Sequence, residues 1–290
     1  MQNAEFAHQA KRIIIDLMST PISPIGVFDS GVGGLSVLRA MRTYMPEEAV
    51  IYFGDQGHVP YGPRSMRQIQ SFSEAITNFL LKHDSKLIVV ACNAASAAAL
   101  TYLREHFPAV SFVGMEPAVK PATESTRTGK VGVLATPATF QGALYASVVE
   151  RFSAGVELFQ HTCPGLVCQI EKGELESNAT RIILEDALHP MLEKNIDTVV
   201  LGCTHYPFVI PLIEQIVGKN VRVIDPAPSV AKQAKRLLEA QGMKNPASQR
   251  ASTNFYTSGD PSVMKSLLPI LLGETGEAES VTWKNDHEVV

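Results

Sequence analysis

The sequence predicts an α/β fold of two similar lobes, each a mostly parallel sheet flanked by helices, with an active site in the cleft between them. Three observations carry that expectation. Short β-rich runs alternate with longer stretches whose apolar residues recur at helical spacing, the pattern of successive βαβ units. Two apolar strands, residues 87–91 and 198–202, each run into a cysteine, Cys92 and Cys203, and then into a helical stretch, so the second half echoes the first. A length of 290 residues is enough for about two domains of ordinary size.

In chain order the β-rich runs are 25–28, 49–53, 87–91, 110–113, 131–135, 156–159, 198–202 and 221–224. Between them 65–83, 94–107, 138–152, 177–194 and 229–240 are expected helices, because each places apolar side chains on one face of a 3.6-residue repeat. The turn-rich stretch 117–129 and the proline-bounded segment 225–228 are expected junctions. They make residues 1–115 and 225–290 a discontinuous first lobe and 116–224 a second lobe inserted into it. The polar leader, as a frayed tail or surface helix, and the acidic tail after Gly273 are expected to be mobile.

Composition removes several classes of function. Hydrophobic residues make up 45% of the chain and charged residues 19%, a globular balance. A net charge of −4, from 25 basic and 29 acidic residues spread along the chain, leaves no footprint for nucleic acid or an anionic membrane. The first apolar run, Ile13 to Ile15, stops at Asp16, too short for a signal peptide, and no stretch of about 18 apolar residues could span a bilayer. The four cysteines, Cys92, Cys163, Cys168 and Cys203, form no Cys-x-x-Cys pair. Reduced thiols, a cytoplasmic location and no metal site are therefore expected.

Both strand-terminal cysteines fall where open α/β sheets bind ligands, outside the carboxyl ends of strands and at helix N-termini. A thiol there is expected to have its pKa lowered by the helix dipole, although a buried cysteine also serves as a small hydrophobe. Gly202-Cys203-Thr204-His205-Tyr206-Pro207 sets a hydroxyl and an imidazole beside the second thiol, and His205 could polarise it or shuttle its proton. The first strand ends in Phe28-Asp29-Ser30-Gly31-Val32-Gly33-Gly34, where glycines admit close backbone approach and Asp29 is either a ligand or a helix cap. Its spacing matches neither a dinucleotide fingerprint nor a P-loop. The segment Gly54 to Gly62 ends in Pro60-Tyr61-Gly62, a plain turn or a binding loop. Cys163 and Cys168 are expected to be structural, and Glu171 is either a solvated helix carboxylate or a site residue.

Four blocks, Phe-Asp29-Ser30-Gly-Val-Gly-Gly, Pro60-Tyr61-Gly62, Ala-Cys92-Asn93 and Gly-Cys203-Thr204-His205-Tyr-Pro, together resemble glutamate racemase over about residues 24–270. The resemblance implies cofactor-independent interconversion of L- and D-glutamate that supplies D-glutamate for peptidoglycan. By the family's pattern Cys92 would deprotonate D-glutamate with help from Asp29, and Cys203 would deprotonate L-glutamate with help from His205 and Glu171. Ser30, Asn93 and Thr204 would surround the α-amino and α-carboxylate groups, and Tyr61 and Gly62 would hold the side-chain carboxylate. Ala94 stands where the family usually has Thr, so only its backbone N–H is left to bind. A homodimer and a peptidoglycan-precursor effector, UDP-N-acetylmuramoyl-L-alanine, acting partly through residues 1–20, are further implications. Competing readings are a sister racemase acting on aspartate, a Cys203/His205 hydrolase that leaves Cys92 idle, and a non-catalytic binding protein acting on gyrase.

Overall fold

The computed structural model describes residues 19–284 and 287–290, so expectations for the leader up to residue 18 lie outside the described residues. The chain builds β1 (Ile25–Asp29), α1 (Leu35–Tyr44), β2 (Val50–Gly54), α2 (Met66–Lys82), β3 (Leu87–Val90), α3 (Asn93–His106) and β4 (Phe112–Gly114). It crosses through α4 (Val119–Ser125) to β5 (Lys130–Ala135), α5 (Pro137–Gln141), α6 (Ala143–Phe152), β6 (Glu157–His161), α7 (Leu166–Glu171), α8 (Asn178–Glu193), β7 (Thr198–Gly202), α9 (Ile210–Val217) and β8 (Arg222–Ile224). It returns through α10 (Ala227–Ala240), β9 (Thr253–Thr257), α11 (Pro261–Leu272) and β10 (Ala278–Ser280), and closes with a hairpin of β11 (Trp283–Lys284) and β12 (Glu288–Val289).

Two parallel sheets result, one ordered β10-β9-β2-β1-β3-β4 and the other β6-β5-β7-β8. The run β2-β1-β3-β4 and the run β6-β5-β7-β8 share one order, so β1 corresponds to β5 and β3 to β7. In each sheet the connections leave in opposite directions on either side of a central pair, β1/β3 in one and β5/β7 in the other. Such a switch point opens a crevice at the carboxyl ends of the strands. Asp29 and Cys92 stand at the first crevice, and Thr136 and Cys203 at the second.

The central strands are apolar because helices cover both faces of a parallel sheet. Every residue of β1, β2, β3 and β7 is buried, whereas the edge strand β6 is partly exposed. One continuous core joins Val27 and Val89 of the first sheet and Leu38 of α1 to Leu134 and Leu201 of the second sheet and Leu212 of α9, and another packs Ile69, Phe72 and Ile76 of α2 beneath Phe28 and Val90. Among the described residues no helix is long and apolar enough to cross a membrane.

Two elements depart from the expected pattern. The helix expected over 138–152 breaks at Gly142, which is extended (φ −71°, ψ 138°) and packs so closely on α3 that a Cβ there would lie 2.5 Å from the Ala97 Cβ. The tail after Gly273, expected to be mobile, is instead structured. β10 pairs with β9 in parallel, and Val281 and Val289 are buried against α2. A few apolar residues at a sheet edge suffice to dock a segment whose composition is otherwise polar.

Candidate active site

The first half of the site grows from β1. Asp29 is fully buried, and its Oδ2 accepts from the N–H groups of Gly34 (2.9 Å) and Gly31 (3.3 Å), which folds the glycine loop back on the strand end. Its Oδ1 accepts from the Thr204 hydroxyl at 3.3 Å, so this carboxylate spans the two lobes. Burial raises the Asp29 pKa, with the His205 charge and the Gly34 N–H opposing it. Cys92 caps α3, its Sγ accepting from Ala95 N at 3.5 Å and lying 3.8 Å from Ser30 Oγ. Here the expectation of a lowered thiol pKa fails. Burial, then the Asp29 carboxylate, push the Cys92 thiol well above its ordinary range and outweigh the helix N–H groups.

The second half grows from β7. Cys203 Sγ lies 3.8 Å from His205 Nδ1, and His205 Nε2 lies 2.6 Å from Glu171 Oε1. Glu171 is not a solvated helix carboxylate. Its Oε1 also accepts from Val32 N at 2.8 Å and its Oε2 from Gln56 Nε2 at 3.2 Å. Burial pulls the His205 imidazole toward neutrality, but its hydrogen bonds to Cys203 and Glu171 and the Glu171 charge prevail, holding its pKa well above the usual histidine value.

That direction fixes a pH dependence. A histidine whose folded pKa is raised contributes stability that is complete below its unfolded value, about 6.5, and is lost as pH climbs through the folded value. The stability difference between wild type and Glu171→Gln is therefore expected to be largest near pH 6 and to shrink above it. Urea denaturation across that range measures it, and a difference that grew with pH would contradict the charged pair.

The glycines of the first block have a steric reason. A Cβ on Gly31 would lie 2.0 Å from Glu171 Oε1, and one on Gly33 would lie 2.3 Å from His205 Nδ1. The Ser30–Gly34 loop is thus the floor on which the second-lobe imidazole and carboxylate rest.

Between the halves is a tight cavity of about 20 Å³, lined by Ser30, Pro60, Tyr61, Gly62, Cys92, Asn93, Ala94, Thr136, Val167, Cys203, Thr204 and His205. One thiol comes from each lobe. Asn93 is the clearest pointer to a binding role, because both its amide nitrogen and its amide oxygen are buried without a hydrogen-bond partner among the described residues. The buried Ala94 follows it in the first turn of α3, where backbone N–H groups have no acceptor within the helix. The Tyr61 hydroxyl is committed elsewhere, donating to the fully buried Asp55 at 2.6 Å. A larger hollow on the outer face of α2, lined by Arg67, Glu74 and Tyr102 among others, contains neither thiol.

The structure thus brings together Asp29, Ser30, Tyr61, Gly62, Cys92, Asn93, Ala94, Cys203, Thr204 and His205, with Glu171 directly behind His205. Thr136 and Val167 were not anticipated. The lobe repeat could have found Thr136, since it leaves β5 as Ser30 leaves β1, and its Oγ1 lies 3.2 Å from that of the buried Thr139. Cys163 is buried, its thiol pushed up to about 12 by burial and the nearby Cys203, while Cys168 is exposed. Among the described residues no group of three or more His, Cys, Asp or Glu could hold a metal ion.

Comparison with known proteins points to one family. Residues 25–234 match the family model for Asp/Glu/hydantoin racemases. The glutamate racemase of Pseudomonas paraeruginosa is 48% identical over 256 residues, covering 88% of this chain and 96% of that protein. The crystal structure of glutamate racemase from Francisella tularensis in complex with D-glutamate superposes with a TM-score of 0.78 at 31% identity, covering 90% of this chain and 98% of that one. That of Escherichia coli glutamate racemase with L-glutamate and the activator UDP-MurNAc-Ala gives a TM-score of 0.77 at 32% identity, covering 89% and 97%.

Proposed function

The chain belongs to the Asp/Glu/hydantoin racemase family, and from that premise we propose that it racemises glutamate, inverting Cα with two thiols working on opposite faces. The observation that carries this reading is the cavity that receives one cysteine from each lobe, each with its own acid–base partner. A single base that returns its own proton to the same face cannot invert a centre, whereas two can. In the L-to-D direction Cys203, as thiolate beside the His205 imidazolium, takes the Cα proton while the Cys92 thiol delivers one from the other side. In the reverse direction Cys92 is the base and Asp29 accepts its proton. A substrate α-ammonium beside Asp29 and Cys92 offsets the burial that pushes this thiol up.

The Cα–H bond is very weakly acidic, so the carbanion-like transition state needs directed donors in a dry site. The unsatisfied Asn93 amide and the first-turn N–H groups of α3 are suited to the α-carboxylate, and the Thr204 hydroxyl, which donates to Asp29, is left as an acceptor for the α-ammonium. We assign the side-chain carboxylate to the Tyr61–Gly62 rim through backbone N–H groups, because the phenol already donates to Asp55. No redox change occurs, the proton lost equals the proton gained, and among the described residues that line the cavity none is a lysine that could form an imine with a carbonyl cofactor. We assign no cofactor.

The lobes, 1–115 with 225–290 and 116–224, are proposed as the units that close on substrate, in line with the two sheets. Supply of D-glutamate for peptidoglycan, a cytoplasmic location and a homodimer follow the family resemblance. Control by UDP-MurNAc-Ala is proposed from the E. coli complex with that activator.

The test is incubation with L-glutamate in D₂O without added cofactor. Optical rotation is expected to decay to zero. Early in the reaction the D-glutamate formed should carry deuterium at Cα while residual L-glutamate carries little. Complete inhibition by EDTA that only metal reverses would sink the thiol mechanism.

A further inference from the structure

Asp55 is a carboxylate with no solvent exposure, placed just beyond β2 and outside the cavity lining. Such a group stays charged in the interior only when donors surround it. Its Oδ2 takes the Tyr61 hydroxyl at 2.6 Å and His58 Nδ1 at 3.0 Å. Its Oδ1 takes the Ser258 hydroxyl at 2.5 Å and the Trp283 indole Nε1–H at 2.8 Å. Three separated stretches of chain, the β2 exit, the β9 exit and the carboxyl-terminal hairpin, converge on this one carboxylate.

The hairpin does not arrive there loosely. Val281 and Val289 are buried in the core beneath α2, and the Ser71 hydroxyl lies 2.7 Å from His287 Nδ1. The Trp283 ring meets the His58 ring edge-on at 4.9 Å and the Phe72 ring edge-on at 5.4 Å, while His58 stacks on Phe72 at 4.1 Å. Phe72 in turn leans against Tyr61, with ring centroids 5.6 Å apart. Tyr61 is therefore held at its hydroxyl by Asp55 and along its ring by Phe72, and Trp283 touches both of those supports.

We propose that the carboxyl-terminal hairpin, by the Trp283 indole N–H bonded to Asp55, fixes the pose of the Tyr61–Gly62 rim, which makes Trp283 a positioning residue for the distal carboxylate of glutamate. The proposal rests on the assignment of that rim to the distal carboxylate. Trp283 lies beyond residues 25–234, so its role is not part of the segment that the family model matches. The rim has little freedom to compensate, because a Cβ on Gly62 would already lie 3.1 Å from Thr136 Cβ on the opposite lobe. Losing one donor from Asp55 leaves a buried carboxylate undersatisfied, and the group free to turn toward remaining donors is the one that carries Tyr61 with it.

The consequence is a binding defect without a chemical one, since both thiols and their partners lie elsewhere. Trp283→Phe keeps the aromatic contact and removes the N–H. KM for both enantiomers is expected to rise about 3- to 10-fold with kcat within about twofold. A second variant preserves shape more closely. Trp283 is the single tryptophan of the chain, so growth on β-(3-benzothienyl)alanine replaces only this indole N–H, by sulfur. The same KM rise is expected in protein whose circular dichroism is unchanged. An unchanged KM in that folded protein overturns the proposal, whatever happens to its thermal stability. The rim assignment is checked in wild type with 2-aminobutyrate, which lacks the distal carboxylate. A kcat/KM comparable with that for glutamate would remove the rim assignment and the proposal together. A selective wild type with an unchanged KM on substitution removes the proposal alone.

Discussion

Cys92→Ala and Cys203→Ala are each expected to lower racemisation by about 10²- to 10⁴-fold, the range attributed to a positioned general acid or base. Steady-state racemisation does not tell which face each thiol serves. The equilibrium constant between enantiomers is one, so kcat/KM must be equal in the two directions for any variant. Solvent exchange separates them. With Cys203 alone, L-glutamate can lose its Cα proton and regain deuterium on the same face, without inversion. With Cys92 alone the same should hold for D-glutamate. Incubation of each variant with each enantiomer in D₂O, read by NMR at Cα, is thus expected to give two mirror-image patterns. Exchange of the same enantiomer by both variants would show that the thiols do not serve separate faces. Equal and complete loss of exchange would show that neither works without the other. The thiol environments add an ordering: burial and the Asp29 carboxylate push the Cys92 thiol up, whereas Cys203 faces the His205 imidazole. Exchange of L-glutamate by Cys92→Ala is therefore expected to be the faster of the two.

The parts of this site legible in the sequence are those where chemistry and chain geometry coincide. Cys92 and Cys203 each follow an apolar strand, and a parallel sheet necessarily delivers such residues to a crevice. The glycines after Asp29 were readable as close-approach positions, but what approaches them, His205 and Glu171, lies more than 130 residues away in sequence and appears only on folding. The Cys92 thiol was misjudged because a helix N-terminus is visible in a sequence while the depth of burial and a neighbouring carboxylate are not. Thr136 carries no local motif. It belongs to the site only because β5 occupies in its sheet the place of β1 in the other. The tail was misread for a related reason. Its polar composition is real, yet Val281, Trp283 and Val289 dock on a surface that α2 creates.

Gly33→Ala is expected to cost about 10²-fold in kcat/KM although it adds only a methyl group outside the cavity lining. Gly33 does not adopt the left-handed backbone reserved for glycine, so alanine meets no conformational objection and the effect must come from space. The new Cβ would lie 2.3 Å from His205 Nδ1, 2.6 Å from its Cε1 and 2.7 Å from Thr204 Oγ1. The imidazole cannot retreat freely, because Nε2 is bonded to Glu171 at 2.6 Å and the residue is buried. It must give up alignment with either Cys203 or Glu171, and both contacts help keep it protonated. Overpacking of this kind lowers stability by about 1–3 kcal/mol, which urea denaturation would register separately. The damage should be one-sided. Exchange of L-glutamate in D₂O, which depends on Cys203 and His205, is expected to fall far more than exchange of D-glutamate by Cys92. Proportional loss of both would point to general collapse of the cleft rather than displacement of His205, and unimpaired racemisation would show that the loop can shift by the required ångström without disturbing the second thiol.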